Sequence, residues 1–417
     1  MKYLKHIFII YLVLLCSKAN AQIDEAFLKE NLIQIQSLKE NDWSFLNNEL
    51  ANREIVMLGE QGHGDGSTFI AKTEIIKYLH EEMGFAVIVF ESGLMDAFRV
   101  WKKIEDGNKT LEVFDSGIFP VWTKSEQVQE LFKYILEQSK TDNPLVVAGF
   151  DMQPTGQLMT QQKRTEELNA YLSKIEKYRS EDYPMLNAAF SNMRALIMKG
   201  LDNQKFEALS AEFQKLRKVI LENDKSEEGL IMSRGLDNFL STVIFYAKGN
   251  MRDPSSTPNV FNIRDKEMAD NLKFLNEEVY PGKKVVIWGA NTHLGYARGL
   301  LKEYNDQPIV AREMVPMGHY LKMEYIDNIY SLAFTSSKGS RSSLRSGVSE
   351  LEKAKEETLE HQISQLDYDY AFLSTKNLPN ETFTSRIYGH REMNGNWKHM
   401  CDGIFYIDTM LPSDIEK

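Results

Sequence analysis

The chain has 417 residues, of which 42% are apolar and 11% aromatic, enough to build a substantial core. Charged residues make up 26% and leave a formal net charge of -11, which argues against a nonspecific grip on nucleic acid or on an anionic membrane surface. Length alone leaves one large domain with insertions and two to three ordinary domains both open.

The chain opens with MKYLKHIFIIYLVLLCSKANAQ, with lysines at positions 2 and 5, an apolar stretch from Ile7 to Leu15 and Ala19-Asn20-Ala21 at the end. This is the pattern of a secretory signal peptide over residues 1–21, and its apolar part is too short for a stable membrane anchor. An exported, periplasmic or secreted chain is expected. Cleavage would remove three lysines and no acid, and it would take away Cys16, leaving Cys401 as the one cysteine. A single thiol makes neither an internal disulfide nor a thiolate metal site.

Four apolar runs then end abruptly in polar residues: EIVMLGE at 54–60, AVIVFES at 86–92, LVVAGFD at 145–151 and KVVIWGANTH at 284–293. Continuous β-branched runs predict strands buried on both faces of a parallel sheet. Amphipathic stretches at Thr68–Met83 and Glu126–Gln138 predict helices between the first three, so the fold expected is α/β, a mostly parallel central sheet flanked by helices. From about 156 to 251 the sequence is charged and free of strand patterns, which predicts an inserted helical subdomain, followed by an irregular Pro/Ser link at 253–258 and another helix from Asn262. Further strand-like pieces fall at 330–334, 370–373 and 403–408, within one domain over 22–417.

In an open α/β sheet ligands bind beyond the carboxyl ends of the strands. The four clearest runs place Glu60, Glu91, Asp151 and the pair Asn291 and His293 there. His63 follows Glu60 in GEQGHGDG, a spacing that suits a carboxylate orienting an imidazole so that its other nitrogen can take a proton from water. Glu91 is a candidate to share protons with Glu60, and His293 to donate to a developing oxyanion or a leaving group. The same residue types also suit a divalent metal site, although neither an HExxH helix nor a cluster of three histidines is present. His390 and His399 in the tail are cleft-lining or packing residues, and no GxSxG elbow or partner for Cys401 marks a nucleophile.

The stretch LGEQGHGDGSTFIAKTEIIKYLHEEMGFAVIVFESG, with NIRDKEMADNLKFL, VVIWGANTHLG, the GFD at 149–151 and the closing DGIFYID, resembles the erythromycin esterase family. The resemblance implies a metal-independent, cofactor-free hydrolase that opens a macrolide lactone with water in a cleft between an α/β sheet and a helical portion. It implies His63 as general base, with Glu60, Glu91 and His293 completing the catalytic set. Expected substrate contacts are Lys72, Asn291 and Asp151. Two positions depart from the family pattern: Ala290 replaces the first histidine of WxHNxH, and Lys72 stands where macrolide-acting members often carry arginine, whose planar fork lysine lacks. The expectation is therefore an esterase-like hydrolase acting on a small-molecule ester or macrolactone, a macrolide included, with erythromycin itself in doubt. A metal-dependent hydrolase and a noncatalytic binding protein for an envelope ligand are the alternatives.

Overall fold

The computed structural model describes residues 23–39, 41–156, 160–198, 200–248, 259–301 and 314–415. The signal peptide read at 1–21 and the link at 253–258 lie outside the described residues. Among the described residues eleven strands are formed: β1 Leu32–Ile35, β2 Ile55–Leu58, β3 Phe85–Gly93, β4 Val146–Asp151, β5 Lys284–Trp288, β6 Ile329–Arg341, β7 Ser349–Leu351, β8 Tyr370–Ser374, β9 Phe383–Ser385, β10 Met393–Gly395 and β11 Gly403–Met410. Nine build one sheet in the order β1-β8-β11-β6-β2-β5-β3-β4, with β7 paired to β6 as a branch, while β9 and β10 form a separate ribbon. From β11 to β4 all pairings are parallel, and β8 runs antiparallel to β11 and to β1. The sheet is mostly parallel, as the continuous apolar runs predict.

The burial of β2 shows why its sequence does not alternate. Val56 and Leu58 face a core with Phe69, Ile75, Ile76 and Leu79 of helix α1 (Gly66–Met83), whereas Ile55 and Met57 face a second core with Met268 and Leu272. Helices on both faces leave no solvent side, so every position is apolar. Helix α1 ends at Gly84, whose φ of 73° is the left-handed conformation that closes a helix and turns the chain into β3. Helices α2 (Leu94–Glu105) and α3 (Glu126–Gln138) follow β3 and precede β4.

After β4 come four helices, α4 (Gln161–Leu172), α5 (Pro184–Met198), α6 (Asn203–Asn223) and α7 (Glu227–Lys248). They share a hydrophobic core of their own that includes Leu172, Leu186, Phe213 and Leu216. Helix α8 (Val260–Phe274) then returns the chain to the sheet, packing Met268 and Leu272 against it. Strand β5 enters between β2 and β3. That insertion fixes the rim: the carboxyl ends of β2, β5, β3 and β4 lie side by side, and each carries one of the polar residues singled out from the sequence.

Candidate active site

Strand β2 runs directly into the loop GEQGHGDG. None of its four glycines adopts a positive φ; the requirement is close approach. A Cβ on Gly59 would sit 1.9 Å from Asn291 Oδ1, and one on Gly64 would sit 1.8 Å from the Ser342 carbonyl oxygen. The Gly64 carbonyl accepts from the amides of Ser342 (3.0 Å) and Ser413 (2.9 Å), which pins the loop against the far strands. Gly64→Ala is therefore expected to destabilise the fold by about 1–3 kcal/mol, as overpacking against fixed backbone does, measurable as a lowered urea midpoint.

Within this loop Glu60 is fully buried and its two oxygens have different partners. Oε1 lies 2.7 Å from His63 Nδ1 and accepts from Trp122 Nε1 at 3.3 Å; Oε2 accepts from Lys72 Nζ at 2.8 Å. The Lys72 side chain is itself fully buried, with its ammonium 4.1 Å above the Trp288 ring. Burial drives the Lys72 pKa down to about 8 against the attraction of Glu60. The His63 side chain keeps 38% of its surface exposed, edge-on to Phe119 and Trp122. Desolvation opposes the imidazolium, but the Glu60 hydrogen bond and the charge of Glu91 outweigh it and raise the His63 pKa above its ordinary value. With Glu60 accepting from Lys72 on its other oxygen, Nδ1 is the donor to Glu60 in the neutral ring and Nε2 is left as the acceptor.

A second cluster gathers at the ends of β3, β4 and β5 around an arginine from α8. Arg264 donates through Nη2 to Glu91 Oε1 (3.0 Å) and Asp151 Oδ2 (2.6 Å), through Nε to Asp151 Oδ1 (3.1 Å), and through Nη1 to His293 Nε2 (3.2 Å). A guanidinium can only donate, so His293 accepts there and gives its Nδ1 proton to Asp265 Oδ1 at 2.8 Å. Glu91 Oε2 also accepts from the Ala290 amide at 2.9 Å. The neighbouring His293 and His63 imidazoles and the Arg264 guanidinium, with that amide, overcome desolvation and push the Glu91 pKa down to about 2. A carboxyl held so far below its usual range binds the Arg264 guanidinium as a carboxylate, beside the proton-sharing role expected of it from the sequence.

The structure thus brings Glu60, His63, Glu91, Asp151 and His293 to one rim, with Lys72 behind Glu60. The Asn291 side-chain amide donates to the carbonyls of Phe334 (2.8 Å) and Ile387 (2.7 Å), and its backbone N–H donates to the Glu60 carbonyl at 2.8 Å. It braces the end of β5 against β2. His390 is buried and holds the loop, with Nε2 3.1 Å from Asp65 Oδ1, while Asp65 Oδ2 accepts from the Gly62 amide at 2.8 Å. His399 is exposed and bonded to Asn380. Arg264 and Asp265 carry no local signal, since a charged Arg-Asp-Lys-Glu run on a helix looks like a solvated face; only the NIRDKEMAD stretch taken whole points to them, and in it Asp265 and Glu267 are buried. A divalent cation among Glu91, Asp151 and His293 would have to displace the Arg264 guanidinium, and among the described residues no group of three or more His, Cys, Asp or Glu is arranged to hold one.

Comparison with known proteins gives a consistent picture. The family described as erythromycin esterase matches residues 80–414. A protein of Bacillus subtilis (strain 168) named "Putative hydrolase YbfO" is 27% identical over 413 residues, covering 90% of this chain and 88% of its own. Among solved structures, a succinoglycan biosynthesis protein superposes with a TM-score of 0.73 at 15% identity, covering 94% of this chain and 98% of its own. A mutant of the erythromycin esterase EreC in its open conformation superposes with a TM-score of 0.67 at 17% identity, covering 92% and 98%. At such identities the structural likeness establishes the fold.

Proposed function

The chain belongs to the erythromycin esterase family, and from that membership and the geometry above we propose that it is an exported hydrolase in which His63 activates water to cleave an ester or lactone. The observation that carries the reading is the 2.7 Å contact from Glu60 to His63 Nδ1, on a half-exposed ring whose other nitrogen has no partner among the described residues. His63 Nε2 takes a proton from water as the water oxygen bonds to the carbonyl carbon. The ester C–O bond then breaks, and the imidazolium returns that proton to the departing alkoxide, leaving a carboxylic acid and an alcohol, or both in one opened ring.

Arg264 is the group placed to stabilise the negative charge on the attacked carbonyl oxygen. It is held flat by Asp151 and Glu91, and His293, fixed by Asp265, accepts a hydrogen bond from its Nη1. In this arrangement His293 has no proton on Nε2 to give an oxyanion, so it acts as a positioning residue for the guanidinium. Asp151 does likewise. Ala290, where the family motif carries a histidine, removes one imidazole from the rim, which favours an ester or lactone other than erythromycin.

The reading is tested by mass-spectrometric screening of the purified protein against macrolides and simple esters, with and without chelator. Turnover that survives chelation supports it; turnover that vanishes on chelation and returns with added metal transfers the site to a metal-dependent mechanism. A pH profile gives a second check. Since His63 must be neutral to accept a proton, kcat/KM on a neutral ester should rise with pH through a value above 6.5, its ordinary pKa. It should fall again near 8 as Lys72 loses its charge and Glu60 its partner. Lys72→Arg, which stays protonated, is expected to abolish that alkaline fall; a descending limb unchanged in the variant would separate Lys72 from the titration.

A further inference from the structure

A cavity of about 660 Å³ opens beside the Arg264 cluster, between the ends of β3 and β4 and the helices α2, α4, α5 and α7. Its floor is formed by Gly93–Asp96 and Asp151–Pro154, so it begins at the carboxylate that Arg264 binds. Its walls are largely hydrocarbon and thioether, with Met95, Met152, Met193 and Met232 beside Phe190 and Phe239. The volume falls in the range of small-molecule sites, and an apolar lining makes such a space unfavourable for water.

The polar groups at its sheet end already have partners. Asp151 binds Arg264, and Asp96 accepts from the amides of Thr155 (3.1 Å) and Gly156 (3.3 Å). Asn238 Oδ1 is the one buried side-chain oxygen of its wall without a hydrogen-bond partner among the described residues; on the helical side the lining also includes half-buried Arg164 and Thr242 and exposed Arg194 and Tyr246. Against the methionine and phenylalanine walls a heavily hydroxylated ring would leave hydroxyls unpaired, at a cost for each. A flexible chain with no more than one polar substituent would not, and unbranched methionine side chains repack readily around such a chain.

We propose that this chamber is an acyl-chain subsite, and that the substrates are esters or lactones bearing a linear hydrocarbon chain of medium length. The chain occupies the chamber, and the reacting carbonyl lies at its Arg264 end. Only the placing of that carbonyl rests on the hydrolase reading; the chamber itself is tested by binding.

The experiment is calorimetric titration of the full chain and of His63→Ala with hexan-1-ol, octan-1-ol and decan-1-ol. Affinity is expected to rise about three- to fourfold per added methylene, as burial of each CH₂ predicts, and equally in both proteins. Met193→Glu and Thr242→Trp, at half-buried wall positions, are expected to weaken decanol binding at least tenfold with unchanged melting temperatures. Affinity that does not depend on chain length, or that survives both substitutions, overturns the assignment. Chain-length-dependent binding without hydrolysis of any ester upholds the chamber while sinking the hydrolase, and hydrolysis without chain-length dependence does the reverse.

Discussion

His63→Ala is expected to lower kcat/KM on any accepted ester by about 10²- to 10⁴-fold, the contribution of a positioned general base, while leaving the thermal midpoint close to that of the parent. The two halves of this expectation have separate origins. The ring is 38% exposed, so its removal opens a surface notch and no core cavity. Glu60, which loses one contact, keeps Lys72 at 2.8 Å and Trp122 at 3.3 Å, so no buried carboxylate is stranded. Steady-state rates alongside melting curves check both halves. Partial recovery of turnover by added imidazole would tie the loss to the missing base, and rates within twofold of the parent would remove His63 from the chemistry.

The sequence disclosed this much of the site because its parts obey a local rule. Glu60, Glu91, Asp151 and His293 each lie just beyond a buried apolar strand, and in a parallel sheet all such ends reach the same rim. What stayed hidden depends on contacts between distant segments. Nothing local says that β5, the last of the four strands along the chain, enters between β2 and β3, yet that placement sets His293 beside Glu91. Nothing local says that the Gly59 backbone lies so close to Asn291 that the amide is committed to the sheet. Lys72 reads from the sequence as a substrate contact, and only the fold shows it buried beneath Glu60 as an internal counterion. Arg264 is the extreme case: it arrives from the helix that follows a four-helix excursion, and its identity as the centre of the site exists only once β3, β4 and β5 have converged on it.

Arg264→Met is expected to cost about 3–5 kcal/mol of folding stability at neutral pH, the magnitude typical when one partner of a buried ion pair is removed. The side chain that replaces it is apolar and similar in length, so the loss does not come from lost volume. It comes from Glu91 and Asp151, 5% and 3% exposed, which would be left as adjacent buried carboxylates without a cation. The pH dependence distinguishes this cause from a packing defect. In the parent, the folded-state pKa of Glu91 is depressed to about 2, so its stabilising contribution is complete above the ordinary carboxylate pKa and is lost as pH falls toward 2. In the variant the Arg264 share of that depression is lost while burial still favours the protonated acid, so falling pH relieves the folded state more than it does in the parent. The gap between the two proteins should therefore be widest near pH 7 and shrink as pH drops below about 4.5. Urea titrations at pH 7 and pH 4 measure it; a gap of the same size at both would assign the loss to packing. Arg264→Lys supplies the last discrimination, since it restores charge without the fork. Stability should recover in part while turnover stays low, because only the guanidinium can hold Asp151, Glu91 and His293 and still direct one N–H toward a developing oxyanion.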